Sequence, residues 1–355
     1  MKKQPIPVTI LTGFLGAGKT TLLNHIIQQN PDSKFAIIEN EFGDIGIDNE
    51  LVIGADDGIF EMSNGCICCA LNDELIETLA KLLNSEHHFD QLIIETTGIA
   101  EPDGVAAAFV SDPNIQEYFR LDATICLADA NNIEDMLEER EEAKRQVTFA
   151  DFIILNKKSD VSSEYLEKLT DILHKANPMA TIERADYGKV NTNILSIKAY
   201  EEKTVSEKIN AVHQHSHDNH HHHHKHDHNH DHDHTHKDHT HDHDHKHHHN
   251  HHSDIVTHSF VFDQAFDVLK FRHWLNVLLM IQGKSLYRVK GIMDFQFQDQ
   301  KTIVQSVRQM HVFQAGPTWE EGEKRVSKIV FIGKQLRKDI LEKNLKHCLY
   351  KNPMQ

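Results

Sequence analysis

From residue 6 to about residue 200 the chain alternates short, unbroken apolar runs with stretches whose apolar residues recur at helical spacing. The runs Val8 to Leu11, Phe35 to Ile38, Leu92 to Ile94, Thr124 to Leu127 and Phe152 to Leu155 are short and lack polar alternation, which predicts strands buried on both faces. Between them Leu22, Leu23, Ile26 and Ile27, and later Leu75, Ile76, Leu79, Leu82 and Leu83, mark helices with one apolar face. Strands separated by helices imply crossovers and a mostly parallel sheet. Past residue 254 the rhythm changes. Ser259 to Phe262, Leu286 to Val289, Thr302 to Val307 and Val326 to Ile332 read as strands, with a helix through Phe271, Trp274, Leu275, Leu278 and Leu279 and a last helix through Leu336, Ile340, Leu341, Leu345 and Leu349, so that strands cluster between helices rather than alternating with them. The pattern therefore predicts an α/β domain over residues 1–200 and a small α+β domain over residues 257–355.

Residues 201–256 are read as a flexible metal-binding linker. Of the 31 histidines, 23 fall between residues 213 and 252, interleaved with Asp218, Asp227, Asp231, Asp233, Asp238, Asp242 and Asp244, and nothing there can build a core. The total length of 355 residues agrees with two domains at roughly 150 residues each. A formal net charge of -17 argues against nucleic-acid backbones and anionic membranes as partners and favours cations. No apolar stretch approaches the ~18 residues that span a bilayer. The five cysteines are odd in number, and Cys66, Cys68 and Cys69 lie too close together for an ordinary disulfide framework, so a reducing cytoplasm is expected. Lys2 and Lys3 before an apolar run imitate a secretory leader, but Pro5, Pro7 and a glycine-rich motif interrupt it and no small-residue cleavage site follows.

The strongest chemical signal is Gly-Phe-Leu-Gly-Ala-Gly-Lys-Thr from Gly13 to Thr20, a P-loop pattern that follows a predicted strand and opens a predicted helix. Gly13, Gly16 and Gly18 let backbone N–H groups surround phosphate oxygens, with Ala17 and Thr21 in the same cradle. Lys19 reaches the terminal phosphates, and Thr20 offers its hydroxyl to Mg²⁺. At the end of the third run, Glu95 is placed to act on the Mg²⁺ shell and the Gly98 N–H to sense the γ-phosphate, the parts of a nucleotide switch. Asn156 to Asp160, Asn-Lys-Lys-Ser-Asp, follows another buried run, where guanine-specific GTPases keep Asn-Lys-x-Asp. Asn156 and Lys157 match, Ser159 stands in the Asp position, and Asp160 comes one later as the expected base reader.

Gly65 to Cys69, Gly-Cys-Ile-Cys-Cys, offers soft thiolates suited to Zn²⁺ or Cu⁺, with Cys66 and Cys68 able to converge on one ion. The alternatives are small buried hydrophobes or redox pairing of Cys68 with Cys69. Glu39 to Asp44 sits where P-loop switches place a first mobile loop; its carboxylates complete a metal site or approach Mg²⁺, or form a plain solvated turn. The histidine tract is neutral and ligating near pH 7 and could hold on the order of five ions at about four ligands each, with little selectivity among Zn²⁺, Ni²⁺, Co²⁺ and Cu²⁺.

Together these motifs resemble the CobW-type metallochaperone GTPases, relatives of the nickel-insertion GTPases. The resemblance rests on residues 13–26, 39–48, 64–69 and 95–102, the strand before Asn156, the tract, and the C-terminal domain, and so covers nearly the whole chain. It implies a GTP-hydrolysing zinc metallochaperone with Cys66, Cys68 and Cys69 as metal ligands, Glu39 and Asp44 near the metal, and a client metalloprotein that receives zinc. GTP, Mg²⁺ and Zn²⁺ are the expected cofactors, and a nucleotide- or metal-dependent homodimer is allowed for. A nickel or cobalt insertion GTPase and a non-enzymatic metal store are the alternatives.

Overall fold

The computed structural model describes residues 4–39, 59–63, 73–85, 88–218, 254–307 and 309–351. The first half winds seven strands into one sheet: β1 (Ile6–Gly13), β2 (Phe35–Glu39), β3 (Ile59–Ser63), β4 (Gln91–Glu95), β5 (Phe119–Asp129), β6 (Phe152–Asn156) and β7 (Thr181–Arg184). Their spatial order is β3-β2-β4-β1-β5-β6-β7 and all the pairings are parallel. Helices α1 (Lys19–Gln29), α2 (Asp73–Leu83), α3 (Pro102–Ser111), α4 (Pro113–Tyr118), α5 (Ile133–Glu139), α6 (Glu141–Phe149) and α7 (Ser163–Ala176) make the connections. Val8, Ile10, Ala36, Ile38, Leu92 and Ile94 bury one face of the sheet, and Leu11, Ile37, Ile93, Ile125 and Ile154 bury the other. This explains why those strands read as continuous apolar runs.

The second half is a five-stranded antiparallel sheet of β8 (Ile255–Phe262), β9 (Leu286–Met293), β10 (Gln300–Val307), β11 (Met310–Thr318) and β12 (Ser327–Lys334), ordered β11-β10-β9-β12-β8. It carries α9 (Val268–Gln282) and α10 (Lys338–His347), whose Phe271, Leu275, Leu279, Leu341 and Leu345 share one core with Phe295 and Phe331. The α+β expectation holds for this half.

Two departures have physical causes. Strands β3, β7 and β11 were not predicted, and each lies at a sheet edge, where a strand pairs on one side only and needs no unbroken apolar run. The expected linker of residues 201–256 does not begin flexibly. Residues Glu202–Asp218 form α8, whose Val205, Ile209 and Val212 are buried in a core with Leu169 and Leu173 of α7 and Ile292 and Val330 of the second sheet, and β8 begins at Ile255. Three apolar residues at helical spacing were outweighed in the sequence by the polar tract that follows them.

That core joins the two halves, and a charge cluster fastens the joint. Asp151, directly between α6 and β6, is bound by both Arg288 and Lys290 of β9, the latter at 2.8 Å. Arg288, only 2% exposed, also donates to the carbonyls of Phe149 and Ala150 at the C-terminal end of α6. Burial alone would raise the Asp151 pKa, but the two cations outweigh it and hold the carboxyl below its ordinary value. Burial and the neighbouring Arg288 push Lys290 down to about 8 despite Asp151.

Removing the shared carboxylate leaves two buried cations without it, so Asp151→Asn should destabilise the fold by about 3–5 kcal/mol, read as a Tm drop on the order of 10 °C. Because the folded pKa of Asp151 is depressed, its contribution is fully present above the unfolded value near ~4 and is lost as pH falls through the folded value. Thermal melts from pH 7 down to pH 3 should therefore show a shallower acid decline in the variant than in the wild type. Superimposable curves would remove Asp151 from this role.

Candidate functional site

The carboxyl ends of the parallel strands meet along one edge, with β1 at the point where the strand order reverses, the place where open α/β sheets bind ligands. Gly13, Gly16 and Gly18 have φ of 136°, 77° and 104°. At Gly18 the left-handed backbone is needed in a crowded place, since a Cβ there would stand 2.7 Å from the side-chain nitrogen of Asn156. Lys19 is buried and its Nζ donates to the Gly13 carbonyl at 3.0 Å, so the ammonium lies inside the loop it follows. Thr20 and Thr21 are in the first turn of α1, whose N-terminal N–H groups and dipole favour an anion.

Register places the other candidates on the same edge. Glu95 is opposite Leu11 of β1 on one side and Glu39 of β2 on the other, and Glu39 is in turn opposite Ser63 of β3. Gly98 presses against the P-loop: a Cβ there would lie 2.5 Å from the Leu15 nitrogen, so the loop after β4 tolerates only glycine at this contact. The hydroxyl of neighbouring Thr97 is buried with no hydrogen-bond partner among the described residues, as fits a pocket completed by a nucleotide and Mg²⁺. Asp44, Cys66, Cys68 and Cys69, the side chain of Glu39 and residues 219–253 lie outside the described residues. Among the described residues no group of three or more His, Cys, Asp or Glu is arranged to hold a metal. Cys66 follows Ser63 by three positions, so the strand feeding the thiol motif ends beside Glu39.

The far end of the edge is built from Asn156, Lys157 and the loop after β7. Asn156 donates to the Ala17 carbonyl at 2.9 Å and accepts from the Gly188 N–H at 3.0 Å, clamping P-loop and loop together. Lys157 has a left-handed backbone, φ 60°, and its Nζ bonds Asp129 at 2.7 Å. Burial would raise the Asp129 pKa, but Lys157 and Asn131 hold it below the ordinary value. Asp160 accepts from Asn131 at 3.2 Å, turned toward Asp129. Ser159 instead holds Asp186: its N–H donates to one carboxylate oxygen at 3.0 Å and its hydroxyl to the other at 2.6 Å.

Three contributors had no signal in the sequence, because their contacts are remote along the chain. Gln146 of α6, nearly fully buried, donates to the carbonyls of Gly98 at 3.0 Å and Ala100 at 3.2 Å. Its neighbour Arg145 pairs with Glu101 at 3.4 Å and Asp103 at 3.5 Å, donates to the Lys284 carbonyl at 3.1 Å, and sits 5.6 Å from the ring centre of Tyr287. Asp186 is the third.

Comparison with known proteins agrees with this arrangement. Residues 7–184 match the CobW/HypB/UreG nucleotide-binding domain, and residues 255–349 match the cobalamin synthesis protein CobW C-terminal domain. The chain is 32% identical over 340 residues to the zinc chaperone YjiA of Escherichia coli, covering 94% of this chain and 95% of that protein. It is 37% identical over 212 residues to the zinc-regulated GTPase metalloprotein activator 1 of Schizosaccharomyces pombe, a match spanning 57% of this chain and 52% of that one. The crystal structure of Zn(II)-bound YjiA GTPase from E. coli superposes with a TM-score of 0.68 at 27% identity, over 98% of this chain and all of that one. The chain therefore belongs to the CobW/HypB/UreG family, as a P-loop GTPase that carries the CobW C-terminal domain.

Proposed function

We propose that this protein is a zinc metallochaperone in which GTP binding and hydrolysis at the P-loop control metal held by Cys66, Cys68 and Cys69 and its transfer to a client protein in the cytoplasm. The observation that carries the reading is the placement of Gly98 between two partners. On one side it touches the P-loop at Leu15; on the other its carbonyl is held by Gln146 of α6. The relatives named as zinc chaperones support Zn²⁺ as the cargo.

In this mechanism Lys19 and the N–H groups of residues 16–21 bind the phosphates, while the Thr20 hydroxyl and the Glu95 carboxylate would hold Mg²⁺ beside them. Bound Mg²⁺ supplies charge neutralisation at the terminal phosphates. The Gly98 N–H contacts the γ-phosphate, and a shift of Gly98 is passed to Gln146 and Arg145, hence to Lys284 and β9 of the C-terminal domain. In the other direction, β4 carries Glu95 beside Glu39 and the end of β3, so the same nucleotide state reaches the strand ends that lead into the thiol segment. Glu39 and Asp44 join the metal site in this reading. The histidine tract gathers metal and keeps it near the thiols. Nickel or cobalt delivery is the second reading, favoured by the imidazoles and opposed by the three thiols; competition titrations at the thiol site separate the two.

Zinc and GTP titrations on a chain with residues 219–253 removed, which spares α8 and β8, test the coupling. Zinc should change GTP affinity by the same factor that GTP changes zinc affinity, on the order of 5- to 150-fold, and Cys68→Ala should abolish that factor while sparing GTP binding. Independent binding would sink the proposal. Lys19→Ala should lower GTP turnover at least a hundredfold, measured as phosphate release, with metal uptake by the tract unchanged. Gln146→Ala removes a buried donor from Gly98, so GTP should no longer alter hydrogen-exchange protection in β9, as it should in the wild type. Retained protection changes would place the relay elsewhere.

A further inference from the structure

We infer that Asp186, presented by the loop after β7, is the carboxylate that reads guanine, with Ser159 as the hydroxyl that holds it. This inference rests on the GTPase reading of the P-loop and names the residue that sets its base preference. Ser159 stands where Asn-Lys-x-Asp places its acid, and the acid in contact with that position is Asp186, bound through both oxygens to the Ser159 N–H and hydroxyl. Asp160, the acid nearest in sequence, accepts from Asn131 and faces the Asp129 side.

Position along the edge agrees. Phosphates anchored after β1 leave the nucleoside to run across β5 to β6, two strand spacings or roughly 10 Å away, about the length of a nucleoside. The loop of residues 185–189 is fixed at that end: Gly188 N–H donates to Asn156, and a Cβ on Gly188 would meet Leu22 of α1 at 3.0 Å. Lys157 and Tyr187 flank the corner with φ of 60° and 55°, conformations that cost a residue with a side chain free energy and that gather at ligand sites. Tyr187 is 73% exposed, which leaves its side chain accessible to a base.

The chemistry is that of one acceptor meeting two donors. A carboxylate has about four acceptor positions, and Ser159 occupies two, leaving one oxygen lone pair each for guanine N1–H and the exocyclic N2–H. The Ser159 hydrogen bonds also hold the Asp186 carboxyl below its ordinary pKa, so it is ionised at neutral pH. Adenine presents an acceptor at N1 and is refused. Xanthine replaces the exocyclic amine by a carbonyl, which a carboxamide satisfies and a carboxylate repels.

Calorimetric titration of the full chain with GTP, XTP and ATP in Mg²⁺ decides the matter. Asp186→Asn should lose GTP affinity by roughly 10- to 100-fold and bind XTP more tightly than GTP. The paired exchange Ser159→Asp with Asp186→Ser should recover the GTP preference that Asp186→Ser alone loses, and far-UV circular dichroism confirms that each variant is folded. If Asp186→Asn does not fold, the paired exchange decides alone. A folded Asp186→Asn that keeps its preference for GTP, an Asp160→Asn that switches to XTP, or a folded paired exchange indifferent to the base would each overturn the inference. A wild type that binds none of the three nucleotides would overturn the GTPase reading itself, and a wild type that binds ATP as well as GTP would leave that reading standing and overturn this one.

Discussion

The joint between the two halves of this molecule, an apolar core shared by both, is fastened at a buried carboxylate. Asp151 binds Arg288 and Lys290 while Arg288 also satisfies the last carbonyls of α6. Asn177 adds donors to the carbonyls of Val147, Thr148 and Ala150, so the C-terminal end of this short helix is tied down by both domains. Such a cluster is costly to desolvate, and replacing it by apolar groups is often neutral for stability. What it supplies here is position. The helix it fixes carries Arg145 and Gln146, which touch the loop after β4, and a helix free to slide by an ångström would not report on that loop.

The nucleotide edge depends on the same principle of fixed register. Parallel pairing sets Leu11 beside Glu95, Glu95 beside Glu39 and Glu39 beside Ser63, so four strand ends are held in fixed register. Glycine at 98 permits contact with Leu15 that any side chain would forbid. The P-loop, the switch loop and the strand leading to the cysteines are thus neighbours through backbone geometry, with no need for a long chain of side-chain contacts.

Much of this was legible in the sequence because buried parallel strands and a P-loop leave strong local patterns. The five central runs emerged as β1, β2, β4, β5 and β6, and Gly13 to Thr20 joined β1 to α1 in its expected context. The edge strands β3, β7 and β11 lacked that signal, since one-sided pairing relaxes the demand for apolar residues. α8 was hidden because the histidines that follow Val212 dominate the composition of the region. Arg145, Gln146 and Asp186 could not be read at all. Each acts on a partner between 27 and 139 residues distant, and an isolated polar residue on a helix or loop does not announce a distant carbonyl or hydroxyl.

The histidine-rich insert leaves α8 and returns in β8, and these two elements pack in one core, with His213 of the helix 3.5 Å from Ser259 of the strand. The insertion points are therefore already brought together by the fold. For a flexible insert, closure entropy grows only with the logarithm of length, about 0.6 kcal/mol for each doubling. On the proposed reading of the tract as such an insert, histidines added or removed between these anchors would cost the folded state almost nothing. In the proposed function, the number of ions the tract gathers would then follow its length, without altering the nucleotide switch.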